Sequence, residues 1–321
     1  MKTNKILILG GTGFIGHHLV NRLVSRGFRC TIVTRHPQRH RDMLPGGRVK
    51  MTSVDIFDPE ALAGAVYSCS AVVNLVGILN EQGSASFKRM HAELPGIIAD
   101  ACVEAGVRRF LHMSALHADA DQGVSDYLKS IGSGEAALFS RRVGQLHSTC
   151  FQPSVVFGPG DTFFNRFAGL LRQIPGPFPL ACPDAQFAPV FVGDVVDAMS
   201  AALESSETHG RCYSLCGPRV FTLRALVDYT ARQIGSPRRI IGLPDGLSRL
   251  QAHLLGRVPG KPFTIDNYRS LQQASICNEN GLERLGVTPT DIDAVVPFYL
   301  GTRSARAGYA GLRRIRPELK R

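Results

Sequence analysis

Glycines at positions 10, 13 and 16 offer the first chemistry in this chain. They follow an aliphatic run, Ile6 to Leu9, and lead into His17 to Gly27, where Leu19, Val20, Leu23 and Val24 recur at helical spacing. Strand, glycine turn and helix in that order make a phosphate-binding unit. The first glycine permits the sharp turn, the second lets backbone approach a pyrophosphate, and the third lets the helix pack closely. The helix N-terminus then offers free N–H groups and a positive dipole end. Gly10, Thr12, Gly13, Phe14, Ile15 and Gly16 are the residues expected to hold the pyrophosphate; an ordinary glycine-rich turn is the plainer alternative.

A second chemical position lies about 20 residues beyond the loop. There Arg29 to Thr34 reads as a strand and ends in Arg35-His-Pro-Gln-Arg39. An acid at such a strand end accepts a hydrogen bond from a ribose 2′-hydroxyl, whereas arginine suits a 2′-phosphate. Arg35 and His36 therefore favour NADP(H) over NAD(H), against the alternative of solvated loop charges. Asp55 ends a third strand, Val49 to Val54, and is read as an acceptor for the adenine amino group or, equally, as a helix cap before Pro59. Gly77, after the strand Ala71 to Gly77, would let the nicotinamide half lie against backbone. Asn74 in that apolar run needs partners. Ile56, Leu75, Val76, Gln152 and Pro153 complete the expected cofactor-binding set.

These positions require an α/β architecture. The spacing predicts a helix from Pro59 and another over Phe87 to Gly106, which Pro95 kinks or restarts. A fifth strand, Arg109 to Ser114, ends in a serine on the ligand side of the sheet. A helix over Asp126 to Leu138 and a strand over Gln145 to Phe151 follow. The fold expected is a Rossmann-type doubly wound parallel sheet with a smaller C-terminal substrate lobe. The nucleotide domain spans 1–152, with 188–215 returning to it. Residues 153–300 form the lobe and 301–321 a basic tail. In the lobe, Phe163 to Gln173 and Leu223 to Ile234 read as helices, the latter capped by Thr222. The four prolines of Ile174 to Gln186 predict irregular chain. Leu247 to Leu255 is amphipathic, either covering the lobe or offering a partner surface.

Composition narrows the function classes. With 44% hydrophobic and 20% charged residues, the chain builds a sizeable core. No stretch approaches the ~20 apolar residues of a membrane span. The first strand begins at Ile6, so no cleaved leader is expected and the chain is read as cytoplasmic. The net charge is +11, and Gly301 to Arg321 holds seven basic residues against Glu318, a balance of +6. That tail is expected either to be solvated or to touch an anionic membrane, peripherally on its inner face, or an acidic partner. No nucleic-acid module is present. The eight cysteines (30, 69, 102, 150, 182, 212, 216, 277) are scattered and read as reduced thiols, with no metal site expected.

The glycine loop, Asp55, Asn74-Leu-Val-Gly77, Ser114, Tyr127 and Gln152-Pro-Ser-Val-Val-Phe-Gly-Pro-Gly160 together resemble the extended and atypical short-chain dehydrogenase/reductases. Val72 to Leu79, His112 to Leu116, Gly158 to Phe167, Pro189 to Val195 and Pro259 to Asn267 look like bacterial relatives of complex I alpha-subcomplex subunit nine. The resemblance runs from Ile6 to about Phe298. It implies tightly bound NADPH and a link to respiratory-chain or ubiquinone-pathway machinery. In the wider superfamily a tyrosine moves the proton, a lysine four residues on lowers its pKa, and a preceding serine orients a carbonyl. Ser114 and Tyr127 match two of these roles. The lysine position is Ile131, and Lys129 lies ~200° round the helix from Tyr127. Gln152 stands where many relatives have arginine. A tyrosine of ordinary pKa ~10 is a poor base at neutral pH. Two readings remain: a dinucleotide-binding component of a larger complex, and an active NADPH-dependent reductase using Ser114 and Tyr127.

Overall fold

The computed structural model describes residues 4–43, 47–140 and 146–301. Gln145 and the basic tail from 302 onward lie outside the described residues. The chain divides into two units. The first is Met1–Ser154, Val192–Cys216 and Cys277–Thr288; the second is Val155–Phe191, Gly217–Ile276 and Pro289–Arg321.

Among the described residues, seven strands of the first unit form one parallel sheet: β1 Lys5–Leu9, β2 Arg29–Val33, β3 Val49–Thr52, β4 Ala71–Asn74, β5 Arg109–Met113, β6 His147–Pro153 and β7 Arg211–Leu215. Their order is β7-β6-β5-β4-β1-β2-β3. The helices, in chain order, are α1 Phe14–Ser25, α2 Pro59–Val66, α3 Leu94–Glu104, α4 Asp126–Ser140, α5 Phe164–Gln173, α6 Val192–Glu204, α7 Leu223–Gln233, α8 Asp245–Leu255, α9 Ile265–Ser270, α10 Gly281–Arg284 and α11 Val296–Leu300. α1 packs on α6, whereas α2, α3 and α4 lie side by side.

The strand period of two assigns each β1 residue to a face. Leu7 and Leu9 join Leu62, Leu94, Ile98, Phe110 and Leu138 in one cluster, beneath α2, α3 and α4. Both faces are covered, so the strands read as continuous apolar runs. A fully buried side chain such as Phe110 contributes roughly 1.5–3 kcal/mol through its removal from water. Strand order reverses at β1, which has β4 on one side and β2 on the other. In open α/β sheets the ligand crevice lies outside the strand C-termini at such a reversal.

Several local expectations are revised. α1 begins at Phe14, so Gly16 is its third residue rather than part of the preceding turn. The predicted helix 87–106 is a π-helical turn, Lys88–Glu93, followed by α3. Pro95 sits in the first turn of α3, where a missing N–H costs no helical bond, so it restarts the helix. The carboxylate that caps α2 is Asp58, which accepts from the N–H groups of Glu60 and Ala61. Asp55 instead accepts from Phe57 N–H at 3.0 Å, an Asx turn at the end of β3. In the proline-rich segment, Phe178–Leu180 pairs in parallel with Ile240–Gly242.

Two corrections concern the cysteines and the domain edges. Cys216 and Cys277 form a disulfide across 61 residues of sequence, so not all eight are free thiols. The spacing carried no sign of it, because the pair meets only through the return of 277–288 to the first unit, a stretch the sequence places in the lobe. Asn280 fixes that return: its amide donates to the Cys216 carbonyl at 2.8 Å, and its Oδ1 accepts from the N–H groups of Cys216 and Leu282. Cys212 is exposed and Cys182 half-buried.

The second unit has its own core, in which Phe157, Phe164, Leu171, Leu226, Val227 and Val296 draw α5, α7 and α11 together. Buried Asp161 ties the Gly158-Pro-Gly-Asp161 loop, accepting from Gly158 N–H at 3.1 Å, Asn165 N–H at 3.1 Å and the Tyr299 hydroxyl. Thr222 caps α7 through Ala225 N–H. Thr264 and Asn267 form a reciprocal capping box on α9. In α8, Ser248 and Ala252 face inward, while Leu247, Leu250 and Leu254 are exposed. Among the described residues no helix is long and apolar enough to cross a membrane.

Candidate functional site

The glycine loop leaves the C-terminal end of β1 and enters α1. Gly10 has φ +76°, in the left-handed region that a Cβ disfavours, and a Cβ there would lie 2.8 Å from the Leu75 carbonyl. It serves both the turn and the close approach to the segment after β4. A Cβ on Gly16 would stand 2.4 Å from Gly10 O and 2.6 Å from Gly11, so the third glycine packs the helix on its own turn. Gly13 differs. A Cβ there would meet Gly10 O alone, at 3.2 Å, and the residue is exposed. Gly13 is the N-cap of α1, no side chain caps the helix, and its first turn holds no acid. The backbone donors and the positive dipole end are therefore left for an anion. Exposed backbone, open space over Gly13 and the absence of a competing carboxylate fit the pyrophosphate of a dinucleotide.

Arg35 and His36 are exposed just beyond the C-terminal end of β2. Asp55 is exposed beyond the end of β3, with Ile56 half-buried against the core beside it. Leu75, Val76 and Gly77 follow β4 alongside the glycine loop. A Cβ on Gly77 would meet only His91 Nε2, at 3.8 Å, so packing does not require glycine there. The expected residues thus stand at the ends of neighbouring strands, from the glycine loop outward to β3.

Asn74 has the partners it needs. Its Oδ1 accepts from Val76 N–H at 3.1 Å, and its Nδ2 donates to His112 Nδ1 at 3.2 Å. It braces the centre of the sheet, β4 against β5, rather than an edge. His112 lies wholly inside, and burial lowers its pKa to about 4, with His91 adding to the shift.

His91, from the π-helical turn, was not singled out by spacing or motif. Its Nε2 accepts from Ile78 N–H at 3.0 Å, which assigns the ring proton to Nδ1. Nδ1 then donates to Ser130 Oγ at 3.0 Å, and Ser130 in turn donates to the Tyr127 carbonyl at 2.7 Å. The ring lies edge-on to Tyr127, centroids 5.5 Å apart, and stacks on Phe87 at 5.4 Å. Burial lowers its pKa to about 4, so the imidazole is neutral at pH 7. With both nitrogens engaged, it has no proton to give Tyr127 and no charge to lower the phenol's pKa.

Tyr127 is half-buried near the start of α4. Ile131, one turn on, is buried, and Lys129 is exposed. α4 runs unbroken through Gly132 and Gly134, which instead permit close packing. A Cβ on Gly134 would fall 2.0 Å from His91 O, and one on Gly132 2.3 Å from the Asp119 carbonyl carbon. These two glycines give up some helix propensity for the approach of the neighbouring segments.

Ser114 is buried at the end of β5, and its Oγ makes no hydrogen bond of full geometry. It faces Glu135 closely enough to favour that carboxylate's charge. Burial nevertheless pushes the Glu135 carboxyl above its usual range, against the pull of Ser114 and Gln152. Gln152 Nε2 donates to both Glu135 oxygens, at 2.9 and 3.1 Å. Glu135 is a further residue that the motifs missed. A signal was present: it stands in helical register with Leu128, Ile131 and Leu138, a carboxylate on an apolar face. Pro153 pairs with Leu215, and its carbonyl accepts from Leu116 N–H. A depression of about 450 Å³ lined by Lys5, Arg29, Arg48 and Lys50 opens at the N-terminal strand ends, away from this chemistry.

Residues 10–137 match the family model described as NAD(P)H-binding. The chain is 29% identical over 307 residues to NADH dehydrogenase [ubiquinone] 1 alpha subcomplex subunit 9, mitochondrial, of Rattus norvegicus, covering 89% of this chain and 77% of that protein. It is 26% identical over 243 residues to a ceramide reductase of Caulobacter vibrioides, covering 75% and 74%. Its fold matches the crystal structure of the NADPH-dependent quinone oxidoreductase QOR2 of Escherichia coli, complexed with NADPH, with TM-score 0.71 and 17% identity, over 95% of this chain and 99% of that one. Sheet order, glycine loop and these likenesses agree: the chain has a Rossmann-type fold whose residues 10–137 match an NAD(P)H-binding family, and along most of its length it resembles the complex I subunit 9 proteins.

Proposed function

We propose that this protein holds NADPH as a retained ligand and acts as a nucleotide-binding component of a respiratory or quinone-pathway assembly. The carrying observation is the contrast between a phosphate cradle with every part present and a proton-transfer set without its lysine. Ile131 fills the lysine position, Lys129 is exposed and out of register with Tyr127 by the helical period, and neutral His91 has no proton to spare. In this role the backbone of Gly10 to Gly16 and the N-terminus of α1 bind the pyrophosphate. Arg35 and His36 bind the 2′-phosphate, and Asp55 and Ile56 border the adenine. Leu75 to Gly77, with Gln152 and Pro153, border the nicotinamide half. NADPH supplies a hydride donor when bound; the chain's residues hold and shield it. The subunit 9 relative belongs by name to a ubiquinone-linked NADH dehydrogenase, which supports the assembly role. The exposed stripe Leu247, Leu250 and Leu254 gives that role a surface.

The reductase reading rests on its own observation. Ser114 Oγ has no full hydrogen bond, which leaves it available to a substrate carbonyl, and Tyr127 in its protonated form can donate. The likeness to a ceramide reductase supports it. One experiment separates the two. Purified full-length protein loaded with NADPH is mixed with quinone analogues and long-chain ketones, and NADPH fluorescence is followed. Retention predicts a constant signal, equal in wild type and Tyr127→Phe. Signal loss in wild type that Tyr127→Phe abolishes would establish the reductase instead.

A further inference from the structure

Away from the glycine loop, one group of three potential metal ligands gathers among the described residues: Glu135, Cys150 and Cys212, with donor atoms all within 4.8 Å of one another. Each arrives there for a structural reason. Cys150 on β6 and Cys212 on β7 are register partners in a parallel ladder, so both thiols project from the same face of the sheet. Glu135 lies on the inward face of α4, in register with Ile131 and Leu138, and α4 packs over β6. A carboxylate on that face is costly unless it is partnered. Its hydrogen-bond partner is the neutral Gln152 amide, and among the described residues no cation pairs with it.

We propose that Glu135, Cys150 and Cys212 form a site for one zinc-class divalent cation, with the fourth coordination position open to solvent beside Cys212. Two sulfur donors select a soft or borderline ion over magnesium or calcium. A tetrahedral zinc with ~2.3 Å bonds holds its sulfurs roughly 3.8 Å apart, within the separation the three donors already show. Three protein ligands leave one position for water, and exposure of Cys212 gives the ion a way in. Gln152 takes the outer role usual at such sites: its amide orients the ligating carboxylate. Binding releases one proton from each thiol to solvent and forms two metal–sulfur bonds and one metal–oxygen bond, with no change of oxidation state. The bound cation would balance the Glu135 carboxylate, which no cation among the described residues now pairs with.

The test uses the full chain, kept reduced, and cadmium as the probe, because cadmium–thiolate bonds absorb in the near ultraviolet. The expected result is one strongly held cadmium per chain with a thiolate band, displaced by zinc. Cys212→Ser should weaken that site at least tenfold, and Glu135→Gln should weaken it while keeping the thiolate band. Cys30→Ser, a buried thiol elsewhere, should leave it unchanged. Because Cys212 is exposed, its substitution preserves the fold, which retained NADPH binding reports independently. The proposal is overturned by the absence of a stoichiometric site in wild type. It is equally overturned if Cys212→Ser binds as wild type does, or if thiol counting of the reduced protein finds Cys150 and Cys212 bonded to each other.

Discussion

The two ends of the proposed dinucleotide site are built from different materials. The phosphate end is backbone: a turn at Gly10, an uncapped helix start at Gly13 and a close packing at Gly16. The end proposed for the nicotinamide is side chains: Ser114, Tyr127, Glu135, Gln152 and His91, two of whose hydrogen-bond systems close on themselves. Backbone cradles need only glycine and a helix, so they survive changes of function. Proton transfer needs a charged partner at a fixed spacing, and here a single position, Ile131, removes it. On the proposed reading, the fold keeps a cofactor and gives up the chemistry the cofactor serves.

The largest effect expected on this contrast comes from filling the cradle. Gly16→Val would drive side-chain atoms into Gly10 and Gly11, with a strain of about 1–3 kcal/mol. NADPH affinity should fall by roughly ten- to a hundredfold by isothermal titration calorimetry. Unchanged affinity would mean the loop does not carry the pyrophosphate.

Acid should act on the other end first. His91 and His112 sit at about 4 in the fold, below the ordinary imidazole value of 6.5. The unfolded chain therefore binds their protons between those values while the folded chain does not. Their stabilisation is full above pH 6.5 and is lost as pH falls toward 4, on the order of 3 kcal/mol for each ring. Urea unfolding across that range should show the loss, and His112→Gln should flatten its slope.

A smaller effect is expected at the adenosine edge. Arg35→Asp should weaken NADPH by about tenfold and NADH much less, since a single charge-assisted contact to the 2′-phosphate is removed. Equal losses would remove the basis for the NADPH preference. Smallest of all, Tyr127→Phe should change NADPH affinity by less than about twofold, because the phenol belongs to the chemistry and not to the cradle.

The contrast also sorts what the sequence made legible. The sheet and the glycine loop were readable because strand, turn and helix periodicity are local. The missing lysine was readable because i and i+4 share a helical face. His91 was not, because its role depends on a π-helical turn placing it under Ile78 N–H, and no spacing announces that. Glu135 was half-legible: its register with Ile131 and Leu138 marked an acid on an apolar face, but its proximity to Gln152 and Cys150 is a product of the sheet. The Cys216–Cys277 bond is the least local of all. It depends on a chain return anchored by Asn280, 61 residues of sequence apart. Gly132 and Gly134 teach the reverse lesson, since local propensity marked them as weak points and tertiary packing makes them contacts.

The central claim is that the chain retains a dinucleotide, and native mass spectrometry of the purified full-length protein tests it most directly. The account predicts one added mass per chain, equal to NADPH, which persists through buffer exchange and is absent from Gly16→Val. A bare chain that takes up neither NADPH nor NADH when they are supplied would contradict it.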